Sequence, residues 1–117
     1  MNMYEIDLTK SLLQEHWGEF FDRFSGSNRG RHIAIEIIDS DLGDQELIKN
    51  APLLAMIYDR PSKGNNLAIE VGKDEMTYAH TVDSPTEIST GQNANGDIVA
   101  IWIADAAGRK TLVKLEV

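Results

Sequence analysis

At 117 residues the chain has the length of a single domain, residues 1–117, and 42% hydrophobic side chains supply one core. No apolar run approaches the ~18 residues that span a bilayer. With no cysteine, disulfides, a thiol nucleophile and thiolate zinc sites are excluded. The net charge of −8, from 19 acidic and 11 basic residues, repels phosphate backbones and argues against nucleic acid as a partner. Residues 1–10 hold no apolar block behind a basic segment, so no secretory leader is expected and the cytoplasm is the expected location.

From residue 9 to residue 24 the pattern is helical. Leu13, Trp17, Phe20 and Phe24 recur at steps of four, three and four, and Leu12 and Phe21 widen the stripe. The spacing predicts a helix over about residues 10–24, capped by Thr9 or Ser11 and ended by Gly26. Glu19 and Arg23 are spaced to pair on its wet side. Asn28-Arg29-Gly30-Arg31-His32 is the one locally basic run.

After Gly30 the period changes to two. Ile33, Ile35 and Ile37 share a face, as do Leu67, Ile69 and Val71, then Met76, Tyr78, His80 and Val82, then Val113, Leu115 and Val117. Two runs are apolar on both faces: Leu53-Leu54-Ala55-Met56-Ile57-Tyr58 and Ile98-Val99-Ala100-Ile101-Trp102-Ile103-Ala104. Strands of that kind are covered on both sides. A helix of about fifteen residues is wide enough for only two or three strands. Either the sheet curls or a second copy of the chain must cover the rest. Short turns rich in Gly, Asn and Asp leave no room for crossover helices. The expected fold is therefore α+β and β-dominated. An N-terminal helix is followed by about six antiparallel strands (near 31–39, 53–60, 66–72, 76–82, 98–104 and 110–116) in a curled meander or small barrel. Pro85 is expected to end the fourth strand, with a further short strand over residues 86–90.

The order of several short motifs resembles a small bacterial family of unknown function. They are Trp17-Gly18-Glu19-Phe20-Phe21-Asp22-Arg23-Phe24-Ser25, Pro52-Leu53 leading to Tyr58-Asp59, His80 followed by Pro85, and Asp105-Ala106-Ala107-Gly108-Arg109. The resemblance covers nearly the whole chain. It brings no activity and draws attention to Tyr58, Asp59 and His80.

Candidate sites were weighed by chemistry. The run Ile35 to Glu46 carries Asp39, Asp41, Asp44 and Glu46, oxygen ligands suited to a hard cation. Counted from Asp39 as an EF-hand loop, Gly43 falls one place early and Asn50 stands where the bidentate Glu belongs. A polar loop, with Asp39 or Asp41 capping a helical turn over residues 45–49, is the preferred reading, and no metal and no cofactor are expected. His80 would act as an acid or base if Asp59 fixed its tautomer, but no nucleophile stands in a recognisable setting; Ser84 and Ser25 are loop residues. His16, His32 and His80 lack zinc spacing. The function expected first is a non-enzymatic interaction module, self-associating or with a protein partner, anchored by Trp102 with Tyr58 and His80. The alternative is a small-ligand-binding barrel with hydrolytic chemistry at His80 and Asp59. An Sm-like RNA-binding barrel ranks third, on topology alone.

Overall fold

The computed structural model describes residues 6–116. Strand β1 (Leu8–Leu12) comes first, then a 3₁₀ turn over Gln14–His16 and helix α1 (Trp17–Asn28). Seven strands follow: β2 (His32–Asp39), β3 (Gly43–Asp59), β4 (Asn66–Val71), β5 (Tyr78–Asp83), β6 (Pro85–Gln92), β7 (Ile98–Asp105) and β8 (Lys110–Leu115). All neighbours are antiparallel, in the order β1-β6-β7-β8-β2-β3-β4-β5. The fold is α+β and β-dominated, and its sheet curls without closing into a hydrogen-bonded barrel.

The helix starts later than its apolar spacing suggests. Residues 8–12 pair with β6, Thr9 opposite Gly91 and Leu12 opposite Ile88, so Thr9 caps nothing. Leu13 begins the turn into the 3₁₀ segment and is 62% exposed. Gly26 lies inside α1. The chain leaves the helical path at Gly30, with φ +92°, and the Asn28 side chain donates to the Phe24 carbonyl. Helical and strand periods overlap over a short apolar run, and the strand wins here because β6 offers it a ladder.

Two bends fold the sheet over itself. Strand β3 pairs with β2 over residues 43–52 and with β4 over residues 53–59. Pro52 sits at the change of partner, where it has no N–H to offer a ladder, and its carbonyl accepts from the Gly72 N–H at 2.9 Å. The second bend is Ser84, the lone residue between β5 and β6, at φ +52°. Its N–H donates to Asn65 and its carbonyl accepts from Ala106 N–H at 3.0 Å. Strands that switch layers at such bends build two-layer packings with crossed strands. Residues Met56, Leu67, Ile69 and Val82 of one layer share a core with Ile35, Ile101, Ile103 and Val113 of the other. Pro85 thus starts β6, and that strand runs through Gln92.

Of the two doubly apolar strands, β7 is covered within the chain, whereas β3 leaves Ile57 46% exposed. In β7, Val99, Ile101 and Ile103 are fully buried in the core. On the other face, the Trp102 ring lies over Gly91, where an added Cβ would come within 3.0 Å of both that ring and Ile6 Cδ1. A tryptophan laid across a neighbouring strand's glycine restores the packing the glycine lacks. Cover of β7 therefore requires no second copy.

Helix α1 solves a different problem. Beyond Pro52, β3 has lost β2 as a neighbour, and the helix lies along this bare edge. Ser25 Oγ accepts from the Met56 N–H at 2.8 Å and donates to the Met56 carbonyl at 3.0 Å. One hydroxyl thus takes both bonds that a neighbouring strand would have made. Trp17, Phe21 and Phe24 bury beneath it. The Trp17 indole N–H donates to Leu12 O at 3.0 Å, and its ring meets Tyr58 edge-on at 5.4 Å. Ser25→Ala leaves both Met56 groups unpaired in a half-buried setting and is expected to cost about 1–3 kcal/mol, measured by urea unfolding. Ser25→Thr, which keeps the hydroxyl, is expected to lose less.

Candidate functional site

Several clefts mark the surface of the described residues. The one with convergent polar groups lies at the end of the two layers away from α1. It holds about 300 Å³ and is walled by β5, the β2–β3 hairpin and the β7–β8 turn. His80 and Val82 of β5 face Ile37, Leu47 and Thr111 across it. Inward residues alternate along β5, so Tyr78, His80 and Val82 share one face. Val82 is buried, His80 half-buried, and Tyr78 at the mouth is 38% exposed. Leu42, on the hairpin tip, is 73% exposed and also lines the mouth.

The charges here have structural duties as well. Asp39 Oδ1 accepts from the N–H groups of Asp41 at 2.8 Å and Leu42 at 3.2 Å. Asp105 Oδ1 accepts from Ala107 at 2.9 Å and Arg109 at 3.1 Å, while its Oδ2 lies 3.8 Å from Arg109 Nε. Both aspartates are turn caps of the Asx kind. Burial is the largest influence on His80 and lowers its pKa from 6.5; Arg109 lowers it further and Asp105 pulls it back.

The acidic run from Ile35 to Glu46 is a β-hairpin. Ile38 opposes Asp44, Glu36 opposes Glu46, and Asp39 opposes Gly43 at φ +77°. Residues 45–49 are strand, which corrects the expected helical turn. Asp39 and Gln45 line the cleft, whereas the intervening position puts Asp44 on the opposite face with Glu46. Asp41 is in the exposed turn. The four carboxylates do not converge, and among the described residues no three His, Asp or Glu side chains gather to hold a metal ion.

His80 and Asp59 are not brought together. Asp59 opposes Asn66 at the far end of β3 and lines a separate cleft with Tyr58, Arg60 and Gln14, of about 640 Å³. The carboxylate nearest His80 in charge is Asp105. It stands in the run Asp105-Ala106-Ala107-Gly108-Arg109, which the resemblance included without giving it a site role. Tyr58 packs against Trp17 inside the chain. Trp102 is half-buried on the outer face of β7, beside Glu87, Ser89 and Lys110. His16 lines a shallow groove on α1 with Phe20 and Ile98, and His32 Nδ1 lies 2.6 Å from Asn50 Oδ1. The basic run after the helix is spent internally. Arg31 donates to the Glu116 carbonyl at 2.8 and 2.6 Å, to Asn28 Oδ1 at 2.8 Å and to the Ile98 carbonyl at 3.1 Å. Burial lowers its pKa, and Asp97 works against that. No helix among the described residues is long and apolar enough to cross a membrane.

A β-dominated fold of two layers joined at bends, with one end sealed by a helix and the other cleft, defines the class of protein. The chain belongs to the family of unknown function DUF5335, which matches residues 8–117, as the order of its motifs suggested. It is 27% identical over 108 residues to an uncharacterized protein of Aquifex aeolicus (strain VF5), covering 92% of each chain. No solved structure matches it significantly.

A His with a lowered folded pKa stabilises the fold above its unfolded value, and that contribution is lost as pH falls through the folded value. Melting temperature is therefore expected to drop between pH 7 and pH 5 more steeply in the wild type than in His80→Gln. Thermal melts of both proteins across that range check it; parallel curves contradict the burial of His80.

Proposed function

We propose that this chain is a non-enzymatic binding domain and that its ligand seat is the cleft between β5, the β2–β3 hairpin and the β7–β8 turn. The supporting observation is the convergence there of His80, Tyr78 and Arg109 on an apolar floor of Ile37, Leu47 and Val82. Concave sites with a greasy floor and a few placed polar groups are the usual form of a binding site. Hydrolysis finds less support. The carboxylates around His80 are engaged by backbone N–H groups and Arg109, and Asp59 lies in another cleft. A carboxylate that would orient His80 as a base in the triad manner is thus not at hand.

Self-association is the weaker reading. Its motive is apolar strand area, of which β7 has cover from the curl of the sheet and from Ile6 beside the Gly91–Trp102 contact, while Ile57 of β3 is 46% exposed. Trp102 keeps an exposed flank beside the edge strand β1, and this flank is where a second copy would sit.

A fragment library titrated into ¹⁵N-labelled protein tests the seat. Amide shifts are expected to cluster on Tyr78–Asp83, Arg109 and Thr111. Hits confined to the Tyr58–Arg60 side or to Trp102, or no saturable hits at the cleft, would contradict the reading.

A further inference from the structure

The curled sheet leaves several stretches of strand edge without a neighbouring strand, and three of them are treated differently. The bare half of β3 is covered by Ser25 and α1. The edge strand β1 is short and carries Lys10. Short edge strands and lysines discourage pairing with other chains. The edge of β5 is one residue longer and lacks the lysine. It reads Tyr-Ala-His-Thr-Val-Asp, with no lysine, no proline and six consecutive pairs to β4 without a bulge.

The free groups on that edge can be assigned. Ser84 N–H bonds to Asn65 O on the β4 side. Antiparallel pairing alternates, so the N–H groups of Val82 and His80 also point to β4, and those of Ala79, Thr81 and Asp83 point outward. The edge borders the cleft, whose lining includes Thr81, Val82 and Asp83. Exposed apolar side chains flank it: Leu42 at 73%, Met76 at 53% and Tyr78 at 38%.

Charge selects the occupant. Asp39, Asp83 and Asp105 surround the cleft against one cation, Arg109, which is itself beside Asp105. Asp41 adds a further carboxylate on the hairpin tip. The whole chain carries −8, which disfavours a second copy as the occupant.

Resting on the reading of this cleft as a binding seat, we infer that β5 accepts an extended, basic peptide segment of a partner protein as an added antiparallel strand. The backbone of the segment bonds to Ala79, Thr81 and Asp83. Alternate side chains turn inward, where the stems of lysine or arginine lie on Tyr78 and Leu42 and their charged ends reach Asp39 and Asp105, and the others lie on the outer face of β5 beside Asp83. Main-chain bonds supply affinity in this mode, and alternate side chains supply selectivity.

The probe is a capped hexapeptide of alternating lysine and valine, compared with one of alternating glutamate and valine. Binding is read by fluorescence anisotropy and by amide exchange of the full chain. The lysine peptide is expected to bind saturably, at least tenfold more tightly than the glutamate peptide, and to slow exchange at Ala79, Thr81 and Asp83. Thr81→Pro removes one outward N–H without touching the β4 ladder, a position where edge strands tolerate proline; it is expected to weaken binding at least tenfold. Should that variant fail to fold, a peptide N-methylated at alternate residues makes the same test on the wild type. Affinity that survives both changes, equal affinity for the glutamate peptide, or a β5-paired dimer of the free protein overturns the inference. Fragments that occupy the cleft while the lysine peptide leaves β5 exchange unchanged overturn the strand addition alone. A cleft that binds neither overturns the underlying reading as well.

Discussion

A sheet that bends onto itself without closing must leave backbone edges, and each edge group needs a partner or water. The Ser25–Met56 contact meets this demand at the point where β3 parts from β2. Without it the second half of β3 would carry an unsatisfied N–H and carbonyl against the helix. With it, α1 is tied to the sheet by two bonds as well as by Trp17, Phe21 and Phe24. Those three rings seal one end of the two layers. The opposite end has no such element, and the cleft around His80 is the result. The placement of the helix and the existence of the cleft are two sides of one asymmetry.

The apolar strands at the middle and end of the chain follow from the same geometry. Pro52 and Ser84 let the chain pass from one layer to the other, so side chains from β3, β4 and β5 face those from β2, β7 and β8. Met56 and Ile101 then lie in one core. The outer face of β7 needs separate cover, and the Trp102–Gly91–Ile6 contact supplies it. Gly91 is demanded here by the closeness of the indole. Gly72 is demanded more strictly, since its φ is +149° and an added Cβ would lie 1.9 Å from the Glu75 carbonyl oxygen.

Much of this was legible in the sequence. The period-two runs marked β2, β4, β5 and β8, and the lack of crossover space marked an antiparallel sheet. The runs apolar on both faces called for a curl or a second copy, and the curl is what covers β7. The register of the first residues was not legible, because Leu8, Leu12 and Leu13 suit a helix as well as a strand until β6 is known to be beside them. The hairpin at Asp39 read as a loop because its carboxylates hide an ordinary strand period over residues 43–52. The cleft was half legible. His80 was found through its apolar face, but Asp59, the partner considered for it, lies in another cleft. Asp105 is distant in sequence, and only the bend at Ser84, which brings β5 to the end of β7, puts the two in one place. Ser25 looked like a loop hydroxyl, and no local pattern reveals that a helix serine will stand in for a strand.

Backbone amide exchange of the free protein at Met56 and Thr81 tests the asymmetry most directly. Both lie in strands, and both point their N–H away from the neighbouring strand β4. The account predicts a slow Met56 amide, held by Ser25, and a fast Thr81 amide, open to water on the uncovered side. Fast exchange at Met56, or equal protection at both positions in a dilute sample, would contradict it.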